Sequence, residues 1–216
     1  MSDERKRVAI LISGRGSNMT ALLRDMEAPD HPCRPVLVAS NRPEAGGLGL
    51  ASARGVPTCA LDHRQWGRDR EGFERALTAE LEKAQAELVC LAGFMRLLTP
   101  WFVARWRDRL VNIHPSLLPL FKGLDTHGRA LAAGVAVHGC TVHLVREEMD
   151  AGPILGQAAL PVLPGDDPAT LAARVMRLEH RLYPACLRAY ASGALRPAGE
   201  IAEGARVALW DDAAPA

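Results

Sequence analysis

Short apolar runs alternate with amphipathic segments along the first half of the chain. Five such runs lie at residues 8–13, 35–40, 58–61, 88–92 and 110–113. Continuous apolar runs of this length are typical of strands that are buried on both faces. Apolar residues recur every three or four positions between the runs, as at Phe73, Leu77 and Leu81, and this spacing predicts helices. The alternation of strands and helices with short connections predicts a parallel, doubly wound sheet.

The second half of the chain has a different pattern. Residues 138–145 alternate between polar and apolar positions, and residues 154–162 form a second strand-like run. Two consecutive strands joined by the loop at 146–153 predict an antiparallel excursion at the edge of the sheet.

A long periodic segment and a tail rich in Gly, Ala and Pro complete the pattern. The segment 167–191 predicts one helix, with Asp167 as its N-cap. The apolar residues within 201–210 predict a hairpin in the tail. A chain of 216 residues has the length of a single domain, so we expect one domain over residues 1–193 and a partly ordered tail over 194–216.

Composition excludes several classes of protein. The net charge of +1 gives no reason to expect a nucleic-acid or membrane partner, and no apolar run approaches the roughly 20 residues that span a bilayer. Five dispersed cysteines without CxxC spacing are typical of reduced thiols, so we expect a cytoplasmic protein. The spacing of His127, His138 and His143 fits no familiar ligand pattern, and we expect no metal.

The glycine-rich segment Gly14 to Asn18 follows the first predicted strand and begins the first predicted helix. Free backbone N–H groups at a helix start, approached closely through glycines, are a ready anion site. The segment lacks the features of a Walker sequence or of GxGxxG, so a small phosphate ester is favoured over ATP or a dinucleotide. The alternative is an ordinary strand-to-helix turn capped by Ser17 or Asn18.

Asn112 and His114 stand two residues apart at the end of the fifth predicted strand, so their side chains point to the same side. An amide donor beside an imidazole suits carbonyl chemistry, because one holds a developing oxyanion and the other moves a proton. The alternative is a plain strand end with a partly exposed histidine. Ligands of doubly wound sheets bind at the carboxyl ends of strands, where the glycine segment and residues 93–98 are also predicted.

Five segments resemble, in order and spacing, the glycinamide ribonucleotide transformylase family of folate-dependent formyltransferases. They are ISGRGSN at 12–18, AGFMRLLTP at 92–100, NIHPSLLP at 112–119, HGCTVH at 138–143 and MDAGPIL at 149–155. The resemblance implies an α/β, Rossmann-like formyltransferase fold, with a mostly parallel twisted sheet, helices on both faces and an antiparallel edge. It also implies formyl transfer from 10-formyltetrahydrofolate to the glycine amine of 5-phosphoribosylglycinamide, in de novo purine biosynthesis.

The resemblance assigns roles to individual residues. The family's catalytic trio corresponds to Asn112, His114 and Asp150. Its substrate-binding residues correspond to Gly16, Ser17, Asn18 and Glu179. Its folate side corresponds to Arg70, Met95, Arg96, Leu97, Leu98, Asn112, Arg146, Glu147, Glu148, Met149 and Asp150. Without the resemblance, the alternatives are a turn residue at Asp150, a solvated face at Glu179, a surface charge at Arg70, and core packing at Met95, Leu97 and Leu98.

The chemistry of formyl transfer agrees with the trio. The reaction passes through a tetrahedral centre that bears an oxyanion, to which the Asn112 amide can donate. A protonated His114 can stabilise the same oxygen and give a proton to the leaving nitrogen. A carboxylate at Asp150 would favour the charged imidazole.

Three other functions remain as alternatives. A 10-formyltetrahydrofolate hydrolase of the same superfamily would add an N-terminal regulatory domain, for which a first strand near residue 8 leaves no room. A methionyl-tRNA formyltransferase would add a C-terminal RNA-binding domain, for which the residues after Gly193 are too few. A non-catalytic module that binds a phosphate ester would explain the glycine segment but would give Asn112, His114 and Asp150 no common function. We expect a monomer or homodimer whose partners are small-molecule substrates.

Overall fold

The computed structural model of the chain describes residues 4–199, 201–204 and 206–211. The chain divides into two compact units, residues 1–112 and 113–216. The first unit contains β1 (Lys6–Ile12), α1 (Ser17–Met26), β2 (Cys33–Ser40), α2 (Gly46–Ser52), β3 (Thr58–Ala60), α3 (Arg70–Lys83), β4 (Leu88–Leu91) and α4 (Pro100–Arg105). A short 3-10 helix at His63–Trp66 precedes α3. The boundary between the units falls inside β5 (Leu110–His114).

The strands of the first unit confirm the predicted parallel pairing. β1 pairs in parallel with β2 and with β4, β2 pairs with β3, and β4 pairs with β5. The chain therefore moves outward from β1 to β3, and then returns to the other side of β1. Because parallel crossovers are right-handed, this reversal places α1 and α2 on one face and α3 on the other. The reversal point between β1 and β4 is where ligands of such sheets bind.

The apolar periodicity explains how these helices pack. On α1 the buried residues are Met19, Leu22, Leu23 and Met26, the face that the sequence predicts. On α3 the predicted residues Phe73, Leu77 and Leu81 are buried as well. The apolar stretch from Val8 to Ile12 in β1 is entirely inaccessible to solvent, as expected for a central strand of a sheet covered on both faces.

The second unit contains the remaining elements. They are α5 (Thr126–Ala132), β6 (Val137–Leu144), β7 (Ile154–Pro161), α6 (Pro168–Ala191), β8 (Leu195–Ala198), β9 (Ile201–Gly204) and β10 (Val207–Trp210). β6 and β7 are antiparallel, as the sequence predicts. Asp167 caps α6 as predicted, since its side chain accepts from the Thr170 N–H in a capping box. None of the helices in the described parts of the chain is long and apolar enough to cross a membrane.

The predicted hairpin over 201–210 is wrong in its pairing. β9 forms an antiparallel pair with the preceding strand β8, and the turn between them contains Gly199 at φ 63°. β10 instead pairs in parallel with β7. The physical reason is that β7 offers an open row of backbone donors and acceptors, which an apolar segment satisfies by adding to the edge. The last five residues of the predicted tail, 212–216, lie outside the described residues.

Candidate active site

An imidazole and a carboxylate from distant parts of the sequence lie together in the second unit. His114 ends β5 and is buried, and Asp150 lies on the loop between β6 and β7. His114 Nδ1 is 3.4 Å from Asp150 Oδ2, and the Gly123 N–H donates to the same oxygen at 2.9 Å. The carboxylate is therefore oriented by a backbone donor as well as by the imidazole.

The second nitrogen of the His114 ring fixes its hydrogen-bonding pattern. His114 Nε2 lies 3.0 Å from the carbonyl oxygen of Phe121. A carbonyl only accepts, so Nε2 carries a proton in this arrangement. Both neighbours of the ring, the Phe121 carbonyl and the Asp150 carboxylate, are acceptors, so both nitrogens have an acceptor when the ring is protonated.

Asp150 has an unusual backbone conformation. Its φ is 53°, in the left-handed region that few residues other than glycine adopt, although aspartate and asparagine tolerate it best. Such a conformation persists where the surrounding structure holds it. The adjacent Lys122–Glu148 ion pair, with 2.7 Å between Nζ and Oε1, and the Gly123 N–H both contribute to holding this loop.

A second imidazole faces the other oxygen of Asp150. His143 Nε2 lies 3.7 Å from Asp150 Oδ1, while His143 Nδ1 is 2.9 Å from the Leu144 carbonyl oxygen. Burial lowers the pKa of His143, so the neutral ring is favoured, with its Nδ1–H donated to that carbonyl. The Asp150 carboxylate therefore lies between two imidazoles.

A further histidine pair lies near this group. His127 Nδ1 is 3.2 Å from His138 Nε2, and the His138 side chain is only 1% exposed. Burial, and then the proximity of His127, lower the pKa of His138 to about 4. Each ring disfavours a charge on the other, so the pair is stable when at least one ring is neutral.

The depressed pKa of His138 predicts a pH-dependent stability. The neutral ring contributes stability fully above about pH 6.5, and that contribution is lost as the pH falls towards 4, because the unfolded chain takes up the proton first. The wild type should lose unfolding free energy when the pH is lowered from 7 to 5. His138→Gln should lose less over the same range, by on the order of 2 kcal/mol. Urea denaturation at the two pH values measures this difference, and equal losses in both proteins would contradict it.

The glycine segment at the start of α1 lies in the first unit. Gly16 is the N-cap at φ 75°, and no side chain caps the helix, so the predicted alternative of capping by Ser17 or Asn18 is wrong. A Cβ on Gly16 would lie 3.3 Å from the Cα of Gly47, and the Gly47 N–H donates to the Gly14 carbonyl at 3.0 Å. Glycines thus allow the two backbone segments to approach closely and leave the N-terminus of α1 without a side-chain cap.

The loop that follows β4 is held beside this segment by two polar residues that the sequence did not reveal. Ser13 Oγ accepts from the Met95 N–H at 2.8 Å and donates to Asn41 Oδ1 at 2.6 Å. Buried Glu74 accepts from the Thr99 N–H at 2.9 Å and from the Thr99 hydroxyl. Burial raises the pKa of Glu74, against the lowering effect of its bonds to Thr99. Two features of the sequence could have indicated these roles: Ser13 is a polar residue directly after an apolar strand, and Glu74 is a charged residue next to the buried face of α3.

The side chains carried by this loop do not form core. Met95 is 70% and Leu97 is 64% exposed, so the core alternative is wrong for both, whereas Leu98 is half-buried. Arg70, at the start of α3, donates to the Leu97 carbonyl. The Arg96 guanidinium lies 5.1 Å from the centre of the Phe73 ring. The loop and the start of α3 therefore present two apolar and two cationic side chains at the surface of the first unit.

The other predicted residues occupy distinct positions. Asn112 is half-buried on β5, where it is opposite Leu91 of β4. Glu179 on α6 is 9% exposed, so the alternative of a solvated helix face is wrong. In the loop between β6 and β7, Glu147 and Glu148 are exposed, and Met149 is about half exposed. The structure thus brings His114 and Asp150 together in one unit, and the glycine segment and residues 93–98 together in the other.

A cavity of about 430 Å³ lies next to Asp150 in the second unit. Its wall includes Leu118, Pro119, Asp150, Ile154, Ile201 and Arg206. The apolar and charged side chains in this wall are typical of a site for a small organic ligand. Among the described residues, no group of three or more His, Cys, Asp or Glu side chains is arranged to hold a metal ion.

The doubly wound first unit and the antiparallel pair of the second are the features of the predicted Rossmann-like formyltransferase fold. The sequence profile described as formyl transferase matches residues 6–187, and the chain belongs to that family.

Individual relatives are consistent with this membership. The chain is 49% identical over 197 residues to the trifunctional purine biosynthetic protein adenosine-3 of Gallus gallus, covering 90% of this chain but only 20% of that protein. It is 52% identical to the structure of phosphoribosylglycinamide formyltransferase from Brucella melitensis, with a TM-score of 0.83, covering 90% of this chain and all of that one. A formyltetrahydrofolate deformylase from Pseudomonas syringae is also similar, at 26% identity and a TM-score of 0.84, over 93% of this chain and 66% of that one.

Proposed function

We propose that this protein transfers the formyl group of 10-formyltetrahydrofolate to the glycine amine of 5-phosphoribosylglycinamide, as a cytoplasmic enzyme of purine biosynthesis. The observation that carries the proposal is the 3.4 Å approach of His114 Nδ1 to Asp150 Oδ2. It is supported by membership of the formyl transferase family and by the 52% identity to a phosphoribosylglycinamide formyltransferase.

The proposed reaction gives a role to every member of the trio. The amine nitrogen attacks the formyl carbon, and the carbonyl π electrons move to oxygen to give a tetrahedral oxyanion. The Asn112 amide N–H and the Nε2–H of the protonated His114, which leaves the Phe121 carbonyl, donate to this oxygen. The oxyanion electrons then re-form the C=O bond as the bond from carbon to N10 breaks. N10 takes a proton from His114, and the attacking nitrogen gives its proton to the neutral His114, which restores the imidazolium. Asp150 stabilises the imidazolium and holds its orientation.

Binding roles are proposed for the residues around this chemistry. The backbone of Gly16, Ser17 and Asn18 receives the substrate phosphate, because α1 begins there and the positive end of the helix dipole favours an anion. Glu179 binds the amine or the ribose hydroxyls. On the folate side, exposed Met95 and Leu97 contact the pterin. The other proposed folate contacts are Arg70, Arg96, Leu98, Asn112 and the backbone of residues 146–150.

The phosphate role makes a prediction about two adjacent glycines of α2. A Cβ on Gly47 would lie 2.5 Å from Ile12 Cδ1 and 3.1 Å from the Gly14 carbonyl oxygen, whereas a Cβ on Gly46 meets nothing within 4 Å. Overpacking costs about 1–3 kcal/mol, so Gly47→Ala should displace the glycine segment and weaken binding of the phosphate ester about tenfold. Calorimetric titration with 5-phosphoribosylglycinamide measures the effect. Gly46→Ala is the matched control, and equal affinities in the two variants would contradict the role.

The function is tested with purified protein, 10-formyltetrahydrofolate and 5-phosphoribosylglycinamide, without ATP and with EDTA present. We expect tetrahydrofolate and the N-formylated product to appear together, as followed by absorbance and by mass spectrometry. No product with both substrates present would overturn the proposal.

Hydrolysis of formylfolate is the second candidate, since the structure is also similar to a deformylase. Here water replaces the amine as the nucleophile. The same assay separates the two candidates: loss of the formyl donor at an equal rate without the amine would favour hydrolysis.

A further inference from the structure

Arg146, the second residue after β6, carries a charge that the fold buries. The residue is only 7% exposed. Its Nη1 donates to the carbonyl of Val145 at 3.2 Å, and its Nη2 donates to the carbonyl of Gly199 at 3.4 Å. Burial of a guanidinium is unfavourable unless its donors are satisfied, so a buried arginine bonded to backbone carbonyls requires a structural or functional reason.

The two carbonyls belong to different segments of the second unit. Val145 begins the loop that carries Asp150, and Gly199 lies in the turn between β8 and β9. The planar guanidinium directs its donors along fixed directions, so it holds both segments at once, which an ammonium group does less well. Arg146 therefore links the base of the Asp150 loop to the C-terminal hairpin.

The aliphatic part of Arg146 also contacts this loop. A Cβ built on Gly152 would lie 3.1 Å from Arg146 Cγ and 1.8 Å from the Leu144 carbonyl oxygen. The absence of a side chain at Gly152 thus lets the two ends of the loop close on each other, with the arginine stem beside them. On the hairpin side, Ile201 and Ala202 of β9 line the same cavity as Asp150.

The position of the Asp150 carboxylate depends on this loop. Asp150 adopts φ 53°, and its distance from His114 Nδ1 is already 3.4 Å, so a small shift of the loop would separate the two groups. The Gly123 N–H holds the carboxylate end of the loop. Arg146 contacts the β8–β9 turn from the start of the same loop.

We propose that Arg146 is a positioning residue, which acts on formyl transfer through Asp150 by tying the loop between β6 and β7 to the β8–β9 turn. The inference rests on the proposed function for its kinetic consequence. It assigns the buried guanidinium to the architecture of the site rather than to direct contact with folate. It also gives the C-terminal hairpin a part in catalysis.

The first test compares Arg146→Met with a matched control. Methionine keeps the aliphatic stem and removes the guanidinium, whereas Arg196→Met removes an exposed guanidinium that donates to the Gly193 carbonyl next to the same hairpin. We expect Arg146→Met to lower kcat about tenfold to 100-fold, because small misplacements of catalytic groups cost that much, with KM for 5-phosphoribosylglycinamide changed by less than about twofold. Arg196→Met should match the wild type. An unchanged kcat in a folded Arg146→Met protein would overturn the proposal.

A double-mutant cycle tests whether the effect passes through Asp150. In an Asp150→Asn background, Arg146→Met should cause little further loss of kcat, whereas a full additional loss would overturn the proposal. If Arg146→Met fails to fold, Arg146→Lys supplies the same comparison, since lysine keeps the charge and the aliphatic chain but lacks the planar guanidinium donors.

Hydrogen exchange gives a readout that does not depend on activity. Amides of residues 146–152 should exchange faster in Arg146→Met than in the wild type, with the strands of the first unit unchanged. If the wild type transfers no formyl group, the proposed function fails, while the exchange experiment still tests the link. Unchanged exchange in this segment would overturn the link itself.

Discussion

Replacing His114 by alanine is expected to lower kcat by about 10³-fold, because the variant loses a general acid and a donor to the oxyanion together. Binding of 5-phosphoribosylglycinamide should change far less, since the proposed phosphate contacts at Gly16, Ser17 and Asn18 do not involve the imidazole. Steady-state kinetics measure the first effect, and calorimetric titration of the phosphate ester measures the second.

The chain contains a matched control for this variant. His31 is another buried histidine paired with a carboxylate, with 3.0 Å between its Nε2 and Asp25 Oδ2, and it belongs to no proposed site. His31→Ala should lower the free energy of unfolding but leave kcat close to the wild-type value. Near-normal turnover in His114→Ala would remove His114 from the mechanism.

Replacing Asp150 by asparagine is expected to lower kcat by about 10²- to 10³-fold. Asparagine tolerates the left-handed backbone at this position and keeps an oxygen that can accept from the Gly123 N–H, so the loop should be preserved. What the variant loses is the negative charge beside the His114 imidazole. The expected loss therefore reports on the charge rather than on the fold.

Asp125 provides the control for the Asp150 variant. It also adopts a left-handed backbone, with φ 51°, and it is exposed at the start of α5. Asp125→Asn should leave kcat unchanged, and circular dichroism should show that both variants are folded. If Asp150→Asn retained more than about half of the wild-type kcat, the carboxylate would have no essential part in the reaction.

Burial on both faces explains why the sheet could be predicted from the sequence. A strand such as Val8 to Ile12 must be apolar throughout, and this leaves a continuous signal that few other structures produce. The faces of α1 and α3 were predicted for a related reason, since each helix has a single contact surface and therefore a regular period.

Tertiary hydrogen bonds explain what the sequence could not predict. The exposure of Met95 and Leu97 follows from a loop fixed by Ser13 and Glu74, and neither residue belongs to a recognisable local pattern. The contact of Arg146 with Gly199 joins residues 53 positions apart. The proposed roles of the site residues, and the predicted domain boundary at residue 193, stay predictions that the experiments above address.

The pairing of β10 with β7 also bears on solubility. Without residues 207–210, β7 would present a row of unsatisfied N–H and C=O groups along one side. Such a row can template strand exchange between molecules, and self-association would then compete with correct folding. β10 replaces the eight-residue β7 as the edge of the sheet with a strand of only four residues, and a short edge is a poorer template for such association.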